Sequence, residues 1–266
     1  MSAKYAESEL PNYCELGTTY NSAVHRFHAP ALEPSDETIA LPGEEAQHLV
    51  RVLRIERGRE VLVFNGRGHQ SRARVELADK RGVVLRITGL EPSAPELPFH
   101  LTLAQAALKR DKIDDVVRDA VMLGASAVQP LVTRFIDVPA GPLAVGRRVE
   151  RWQRVAVSSV KQCGRSVMPI VREPATLESA LLAAKGLKLL LVEPAISVSD
   201  SGSLDAVPRP EAATVFVGPE GGWAPEEVTC ARESGAMLVN LGARTLRADA
   251  VPIVALSILL YAWKAL

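Results

Sequence analysis

The sequence predicts an α/β protein in two parts, a small β domain followed by a larger domain whose parallel sheet is covered by helices on both faces. Three observations support this. Short runs alternate apolar and polar residues up to about residue 90, three prolines fall within residues 91–98, and strand-like and helix-like patterns then alternate to the end. With 266 residues, of which 47% are hydrophobic, the chain can form a core without disulfides or a metal.

The first part begins after residues 1–23, which are polar and acidic and are expected to form a flexible extension. Residues 24–90 are β-like throughout, including the segment RVLRIERGRE that begins at Arg51. The Asn65-Gly66 pair predicts a hairpin turn within this domain. The period of two is set by Val61 and Val63, and then by Ser71, Ala73, Val75 and Leu77.

The second part follows a linker at residues 91–98, EPSAPELP, and extends over residues 99–266. Its expected strands are LTLAQA (101–106), AVQPLVT (127–133), LKLLLVEP (187–194), ATVFVGP (213–219) and AMLVNLG (236–242). Its expected helices are one ending near Gly124, one with the apolar face Val149, Trp152, Val155, Ala156 and Val160, then PEEVTCARESG (225–235), and the last at 250–264.

Charge is unevenly distributed in a chain whose net charge is zero. Residues 51–86 contain ten basic and four acidic side chains, and residues 147–172 contain seven and one, a net of +6 in each segment. Two Arg-rich segments suggest a basic face that binds a polyanion such as RNA, although solvated helix and strand faces are the plainer explanation. The candidate RNA-binding residues are Arg51, Arg54, Arg72, Lys161 and Arg165.

Several classes of protein are disfavoured. The three cysteines are odd in number and widely spaced, which argues against a disulfide framework or a zinc cluster and favours a reducing cytoplasm. No metal is expected. The N-terminus has no basic region followed by an apolar core, so no secretory signal is predicted. The apolar run at 251–263 is too short to span a bilayer and is expected to be a buried helix.

Glycine-containing turns point to a ligand site. VGPEGGW (217–223) and LGARTLRADA (241–250) directly follow predicted strands, and KQCGR (161–165) follows a helix. In a parallel sheet the loops beyond the carboxyl ends of the strands form the ligand crevice, where glycine allows close approach to the backbone. Neither strand-end turn matches GxGxxG or GxxxxGK[ST], which disfavours dinucleotide and nucleoside triphosphate sites. Each turn alone could be merely a tight connection.

Together, HLVRVLRIERGREVLVFNGRG, KQCGR, VGPEGGWAPEEV and LGARTLRAD resemble the 16S ribosomal RNA (uracil-1498-N3)-methyltransferases of the SPOUT superfamily, over residues 24–266. The resemblance implies a PUA-like RNA-binding β-barrel and a methyltransferase domain with a C-terminal trefoil knot, in which S-adenosylmethionine is held by three strand-end loops. It further implies a homodimer that acts on 16S ribosomal RNA or the small ribosomal subunit, in the cytoplasm and away from any membrane.

The resemblance also assigns residues. The cofactor loops would be Val192, Glu193 and Pro194; Gly218, Pro219, Glu220 and Gly221; and Leu241, Gly242, Leu246 and Arg247. Methyl transfer to uracil N3 requires loss of the N3 proton and stabilisation of charge on the ring. Arg165 or Arg247 could stabilise that charge, and Glu220 or Asp249 could accept the proton; helix capping, ion pairing and phosphate binding are the structural alternatives for these residues.

The chain departs from the family pattern at a few positions. The usual glutamate before QCGR is Lys161, the usual proline after LG is Ala243, and the usual RTET is Arg247 followed by ADA. Two further functions therefore stay open: a SPOUT enzyme that methylates another nucleotide, and a catalytically inactive protein that binds RNA or assists ribosome assembly.

Overall fold

The N-terminal part of the chain forms a five-stranded sheet. The structure is a computed structural model that describes residues 24–79, 81–137, 147–194, 196 and 207–266, so the extension expected at 1–23 lies outside the described residues. The strands are β1 (Arg26–His28), β2 (Thr38–Ala40), β3 (Glu60–Phe64), β4 (Gln70–Ala78) and β5 (Val83–Leu90), in the order β1-β3-β4-β5-β2. β1 pairs with β3 in parallel, and the other pairs are antiparallel. With β1 and β2 at its edges the sheet is a curled half-barrel, and the described strands do not close the barrel that was expected.

The prediction of β structure throughout residues 24–90 is wrong at one place. α1 (Gly43–Gln47) runs directly into a single π-helical turn at His48–Val52. Ala46 and Leu49, three residues apart, are buried against the sheet, so this segment contributes to the core with helical spacing. The apolar residues that follow Leu49 have no clear period, which is why the sequence pattern did not separate this helical segment from a strand.

The predicted hairpin is confirmed, with a longer connection than the sequence suggested. β3 and β4 pair in antiparallel fashion through residues 65–69, and the side chain of Asn65 accepts hydrogen bonds from the N–H groups of Arg67 and His69. Ser71, Ala73 and Val75 are buried as expected. Leu77 is 47% exposed, because a register shift between Val75 and Leu77 turns the strand.

The C-terminal part contains a seven-stranded sheet. Its strands are β6 (His100–Ala106), β7 (Ala127–Val132), β8 (Ile170–Val171), β9 (Ala175–Thr176), β10 (Leu187–Leu191), β11 (Ala212–Val217) and β12 (Met237–Val239). The order is β12-β10-β11-β6-β7-β8, with β9 also paired to β7. Every pairing is parallel, as predicted. The carboxyl ends of β10, β11 and β12 therefore lie side by side.

Helices cover both faces of this sheet, as the alternating pattern predicts. They are α2 (Lys112–Met122), α3 (Arg147–Cys163), α4 (Leu177–Ala183), α5 (Pro225–Glu233) and α6 (Val251–Ala262). Leu189 and Val215 join the apolar cluster of α2, α3 and α6, whereas the next residues along the same strands join the cluster of α4 and α5. Alternate side chains of a strand thus contribute to separate cores on opposite faces.

The last helix is only partly buried. Leu256 and Leu259 of α6 are in the core, but Ile253 and Ile258 are each 39% exposed and Tyr261 is 80% exposed. The expectation of a buried helix is therefore wrong for one face of α6. None of the helices within the described ranges has the length and apolar character of a membrane span.

The expected linker is fastened to both parts of the chain. Gln70 of β4 donates a side-chain hydrogen bond to the carbonyl of Pro92, and the N–H of Ala94 donates to the carbonyl of Gly164 beyond α3. The guanidinium of Arg26 in β1 donates to three carbonyls at the C-terminal end of α3, those of Val160 (2.7 Å), Lys161 (3.0 Å) and Arg165 (2.7 Å). A cation on the last carbonyls of a helix is a favourable arrangement. β1 and α3 are therefore joined directly.

Candidate functional site

A cleft of about 410 Å³ opens at the carboxyl ends of β10, β11 and β12. It is lined by residues of the three loops that follow these strands and by the start of α2: Lys112, Leu191, Val192, Glu193, Pro194, Val217, Gly218, Pro219, Glu220, Gly222, Trp223, Leu241, Arg244, Thr245, Leu246, Arg247, Ala248, Asp249 and Val251. The crevice predicted from the strand-end loops is thus present. All the residues expected to bind a cofactor line it except Gly221 and Gly242.

The turn after β11 requires a glycine at position 222, which lines the cleft. Its φ is +74°, and a Cβ placed there would lie 2.6 Å from Glu193 Oε1 in the neighbouring loop. Gly221 instead faces away from the cleft lining, since a Cβ on it would lie 2.8 Å from the Cβ of Phe135. Gly221 was expected to contact the ligand, but the glycine that lines the cleft is Gly222, one residue further on.

Trp223 forms one wall of the cleft and also packs in the apolar cluster of α4 and α5. Its indole N–H donates to the carbonyl of Leu191 at 2.8 Å, and its ring lies against Gly218, where a Cβ would be 3.1 Å from Trp223 Cε2. The hydrogen bond joins the loop after β11 to the end of β10. Gly218 is consequently needed for the close approach of this ring.

Lys112 bridges two carboxylates of the cleft and was missed in the sequence. Its Nζ lies 3.4 Å from Asp249 Oδ1 and 3.5 Å from Glu220 Oε1. A cation in the first turn of a helix is unfavourable to the helix dipole, so these two carboxylates account for its presence there. The sequence offered one indication of this role: Lys112 begins the helix that follows the first strand of the parallel sheet. The N-terminal end of such a helix faces the strand-end crevice.

Asp249 is the most strongly restrained carboxylate of the cleft. Its side chain pairs with Arg247, whose Nε lies 3.2 Å from Asp249 Oδ1 and whose side chain is 74% exposed. Burial alone would raise the pKa of Asp249, but its own backbone N–H, the Arg247 hydrogen bond and the positive charges of Lys112 and Arg247 outweigh burial and lower the pKa. Asp249 is therefore ionised at neutral pH.

Glu220 lies beside Asp249 in the cleft without capping a helix. Its Oε1 accepts a hydrogen bond from the N–H of Lys109 at 3.3 Å. The cap of α5 comes from Glu227, whose side chain accepts the N–H of Ala224 at 2.9 Å. The carboxylate of Glu220 is thus held between α2 and the loop after β11, a quarter exposed.

Arg165 lies away from the cleft, and its burial and partners favour a structural role over the expected catalytic and RNA-binding roles. Its side chain is 5% exposed and forms a double hydrogen bond with the carboxylate of Glu96. The remaining donor, Nη1, reaches the carbonyls of Val121 and Ala125 at 2.8 and 3.1 Å. The guanidinium fastens the linker to the end of α2 and is not accessible to RNA.

Lys161, another expected RNA contact, is held in an ion pair within the protein. Its Nζ lies 2.9 Å from Glu45 Oε2 and 5.3 Å from the centre of the Phe27 ring. The pair is largely buried, with 20% of the Lys161 side chain exposed. This contact holds the N-terminal sheet domain against the end of α3.

The remaining candidates for RNA binding are at the surface of the N-terminal part. Arg51 and Arg54 are exposed, and Arg54 has a left-handed backbone with φ +52°. Arg72 is half exposed and pairs with Glu91 at 2.8 Å. Arg54 lines a second, polar cleft of about 360 Å³ together with His25 and Arg59. The described residues contain no grouping of three metal-ligating side chains.

Comparison with known proteins agrees with this geometry. Residues 95–260 match the RNA methyltransferase domain family, and residues 41–88 match the RNA methyltransferase PUA domain family. The chain is 33% identical to a ribosomal RNA small subunit methyltransferase E of Synechocystis, over 84% of this chain and 72% of that protein. It is 25% identical to the protein of the same name in Bacillus subtilis, over 84% of this chain and 90% of that protein.

Two solved structures resemble the whole described fold. A Legionella pneumophila protein in complex with S-adenosylmethionine superposes with a TM-score of 0.83 at 30% identity, covering 90% of this chain and 98% of that one. A ribosomal RNA small subunit methyltransferase E of Neisseria gonorrhoeae, bound to S-adenosylmethionine, gives a TM-score of 0.81 at 29% identity with the same coverage.

Proposed function

This chain belongs to the family of ribosomal RNA small subunit methyltransferase E, and we propose that it transfers a methyl group from S-adenosylmethionine to uracil N3 of 16S ribosomal RNA, at the position 1498 of the family. The observation that carries this proposal is the convergence of three strand-end loops on one cleft that contains Glu220, Asp249 and Lys112. The cofactor is S-adenosylmethionine, which similar structures contain.

The cleft suits this cofactor in size and chemistry. A volume of about 410 Å³ is within the range of small-molecule sites. Backbone groups of residues 192–194 and 218–222 would hold the ligand from two sides, with apolar contacts from Leu241 and Leu246. A side chain at Gly218 or Gly222 would press on Trp223 or Glu193, which are residues of the cleft wall.

The residues of the cleft supply the groups that uracil methylation requires. When bound, the cofactor supplies an electrophilic methyl group on a sulfonium. Uracil N3 carries a proton at neutral pH, and the carboxylates of Asp249 and Glu220 are the acceptors available for it. Asp249 is ionised at neutral pH, since its backbone N–H, Arg247 and Lys112 lower its pKa further below the ordinary value of an aspartate. The same two cations would stabilise negative charge on the uracil ring.

RNA would be recognised by the N-terminal sheet domain. The proposed domain limits are 24–90 for RNA recognition, 91–98 for the linker and 99–266 for methyl transfer, and the two family matches support this division. Arg51, Arg54 and Arg72 are the proposed phosphate contacts, because all three are exposed there. Action on ribosomal RNA makes the cytoplasm the expected location.

We also propose that the protein is a homodimer and that its C-terminal part has the knotted path of the SPOUT superfamily. The exposed apolar face of α6, with Ile253, Ile258 and Tyr261, supports the dimer, since such a face is unfavourable in water. The knot is supported by membership of the family and by the parallel sheet with β12 at its edge.

The decisive experiment compares modified nucleosides in ribosomal RNA from cells with and without the gene. We expect 3-methyluridine to disappear from 16S ribosomal RNA in its absence and to return on incubation of that RNA, or of small subunits, with purified protein and S-adenosylmethionine. Methylation of a different nucleotide would support the alternative target, and cofactor binding without any transfer would support an inactive RNA-binding protein.

A further inference from the structure

Phe135 is an exposed aromatic side chain at the edge of the site. Four of the five phenylalanines in the chain are at most 5% exposed, whereas Phe135 is 44% exposed. A large apolar ring left in water is unfavourable by the hydrophobic effect, and an exposed aromatic in a polar surrounding is a common feature of nucleic-acid contacts. Phe135 is in the loop that follows β7. This loop is next to the cleft, but Phe135 is not part of the cleft lining.

The backbone of Phe135 touches the loop that carries Glu220. A Cβ built on Gly221 would lie 2.8 Å from Phe135 Cβ and 2.9 Å from its carbonyl oxygen. Phe135 therefore lies against the residue that directly follows Glu220, one of the proposed catalytic carboxylates. This contact involves the backbone and Cβ of Phe135, so its ring is not needed to hold the turn in place.

The segment around Phe135 is fixed on both sides. The N–H of Arg134 donates to Glu227 Oε1 at 2.9 Å, and Asp137 pairs with Lys109 at 2.6 Å. Ile136 packs against the apolar clusters on the two sides of the sheet. An aromatic side chain on a fixed backbone can bind a planar ligand without a large loss of conformational entropy.

Basic residues occur on the segments next to this position, and one of them, Lys109, is paired with Asp137. Arg134 is exposed beside Phe135, and Lys109 and Arg110 are exposed at the start of the segment that leads into α2. Arg110 has a left-handed backbone, with φ +57°. Aromatic rings flanked by cations are the arrangement with which proteins bind single-stranded nucleic acid, the ring stacking on a base while the cations contact phosphates.

We propose that Phe135 is a stacking platform for an unpaired RNA base next to the target nucleotide. The inference rests on the proposed function, since it assigns the RNA a path across the surface between α2 and the loop after β7. The stacked base holds the target nucleotide beside Glu220 and Asp249. Because stacking tolerates any base, the platform increases affinity and orients the RNA more than it selects a sequence.

The test compares Phe135→Ala, Phe135→Leu and Phe135→Trp for binding of 16S ribosomal RNA and of S-adenosylmethionine. We expect about a 5- to 150-fold loss of RNA affinity in the alanine and leucine variants and near-parental affinity in the tryptophan variant. Cofactor affinity should stay within about twofold, because all three variants keep the Cβ that lies against Gly221. Leu182→Ala, at an 84% exposed position of α4, is the matched control for loss of a surface apolar side chain.

Parental RNA affinity in Phe135→Ala would overturn the proposal, as would full affinity in Phe135→Leu, which keeps apolar volume without a π face. Equal losses of cofactor and RNA binding would show a structural role and would also overturn it. Failure of the parental protein to methylate ribosomal RNA would instead refute the proposed function, and the binding comparison would still decide whether Phe135 stacks on RNA.

Discussion

Lys112 Nζ lies 3.4 Å from Asp249 Oδ1, which joins the first turn of α2 to the loop after β12 across 137 positions of sequence. Both side chains are about a quarter exposed, so the pair is less screened by water than an ion pair at the open surface. Since Glu220 Oε1 lies 3.5 Å from the same ammonium, one cation keeps two carboxylates of different loops together.

Replacing Lys112 with methionine should shift the pH dependence of methyl transfer. Without the ammonium, the pKa of Asp249 rises, so the carboxylate becomes protonated at a higher pH and the acid limb of the rate profile moves upward in pH. We expect the loss of single-turnover rate to be largest at about pH 4, near the ordinary pKa of an aspartate, and small at neutral pH and above. Lys112→Arg should keep most of the parental profile, and Lys185→Met, at an exposed position, is the control. An unshifted profile in Lys112→Met would separate this pair from proton transfer.

Replacing Gly222 with alanine should weaken S-adenosylmethionine binding by at least about tenfold. The left-handed backbone costs a side chain about 1–2 kcal/mol, and the new Cβ would collide with Glu193. Calorimetric titration measures the effect. Gly89→Ala, where a Cβ would meet nothing within 4 Å, should bind like the parent. Equal affinity in the two variants would remove the turn at Gly222 from the binding site.

Replacing Arg165 with alanine should lower stability rather than catalysis. The variant leaves Glu96 and two carbonyls without their donor, and we expect a loss of about 2–4 kcal/mol in the free energy of unfolding. Denaturant titration measures this, with Arg172→Ala at an exposed position as the control. At a temperature where the variant is folded, its affinities for cofactor and RNA should be near parental. A stable variant with weakened RNA binding would restore the RNA-contact role.

Replacing Arg51, Arg54 and Arg72 together with alanine should reduce the salt dependence of RNA binding. Each lost phosphate contact removes about 0.7–0.9 from the slope of log affinity against log salt, so a change of about 2 to 3 is expected. Arg72 contributes least, since Glu91 already pairs with it. Cofactor affinity should not change. Binding titrations at several salt concentrations measure the slope, and a parental slope would place RNA recognition elsewhere.

Replacing Tyr261 with glutamate should dissociate the proposed dimer. Tyr261 is 80% exposed on the apolar face of α6, so the monomer tolerates the charge whereas a buried interface does not. Light scattering should give twice the mass of one chain for the parent and a single chain for the variant at micromolar concentration. Leu182→Glu on α4 is the control. A parental protein that is monomeric would refute the dimer, and a variant that stays dimeric would place the interface on another face.

The cofactor loops could be predicted from sequence because the rule for parallel sheets is local. A strand, a glycine turn and a helix occur within about ten residues, and the carboxyl end of each strand lies at the same edge. The rule predicts a crevice beside the turns at 217–223 and 241–250, and the resemblance to the methyltransferase family assigned single residues such as Val192, Gly218 and Leu246, which line the cleft. Neither the rule nor the resemblance gives the direction of each residue in a turn, which is why Gly221 was expected at the cleft and Gly222 was not.

The ion pairs could not be predicted, since they depend on contacts between distant parts of the chain. Arg165 and Lys161 belong to a basic run that predicts an exposed face, yet their partners are Glu96, 69 positions away, and Glu45, 116 positions away. Charge density in sequence counts residues and contains no information on burial. The same limit applies to Lys112, whose partners come from two later loops.

The contact of Arg26 with the end of α3 fixes the position of the N-terminal sheet relative to the C-terminal part of the chain. Three hydrogen bonds hold β1 on that helix, and the ion pair between Lys161 and Glu45 reinforces the attachment. The arginines of the N-terminal sheet domain and the cleft are thereby kept at a set separation. Under the proposed function, an RNA engages both only if its own folding presents a backbone segment and the target base at that spacing. Selection then depends on the three-dimensional shape of the RNA, and a short linear fragment that contains the target base would be a poor substrate.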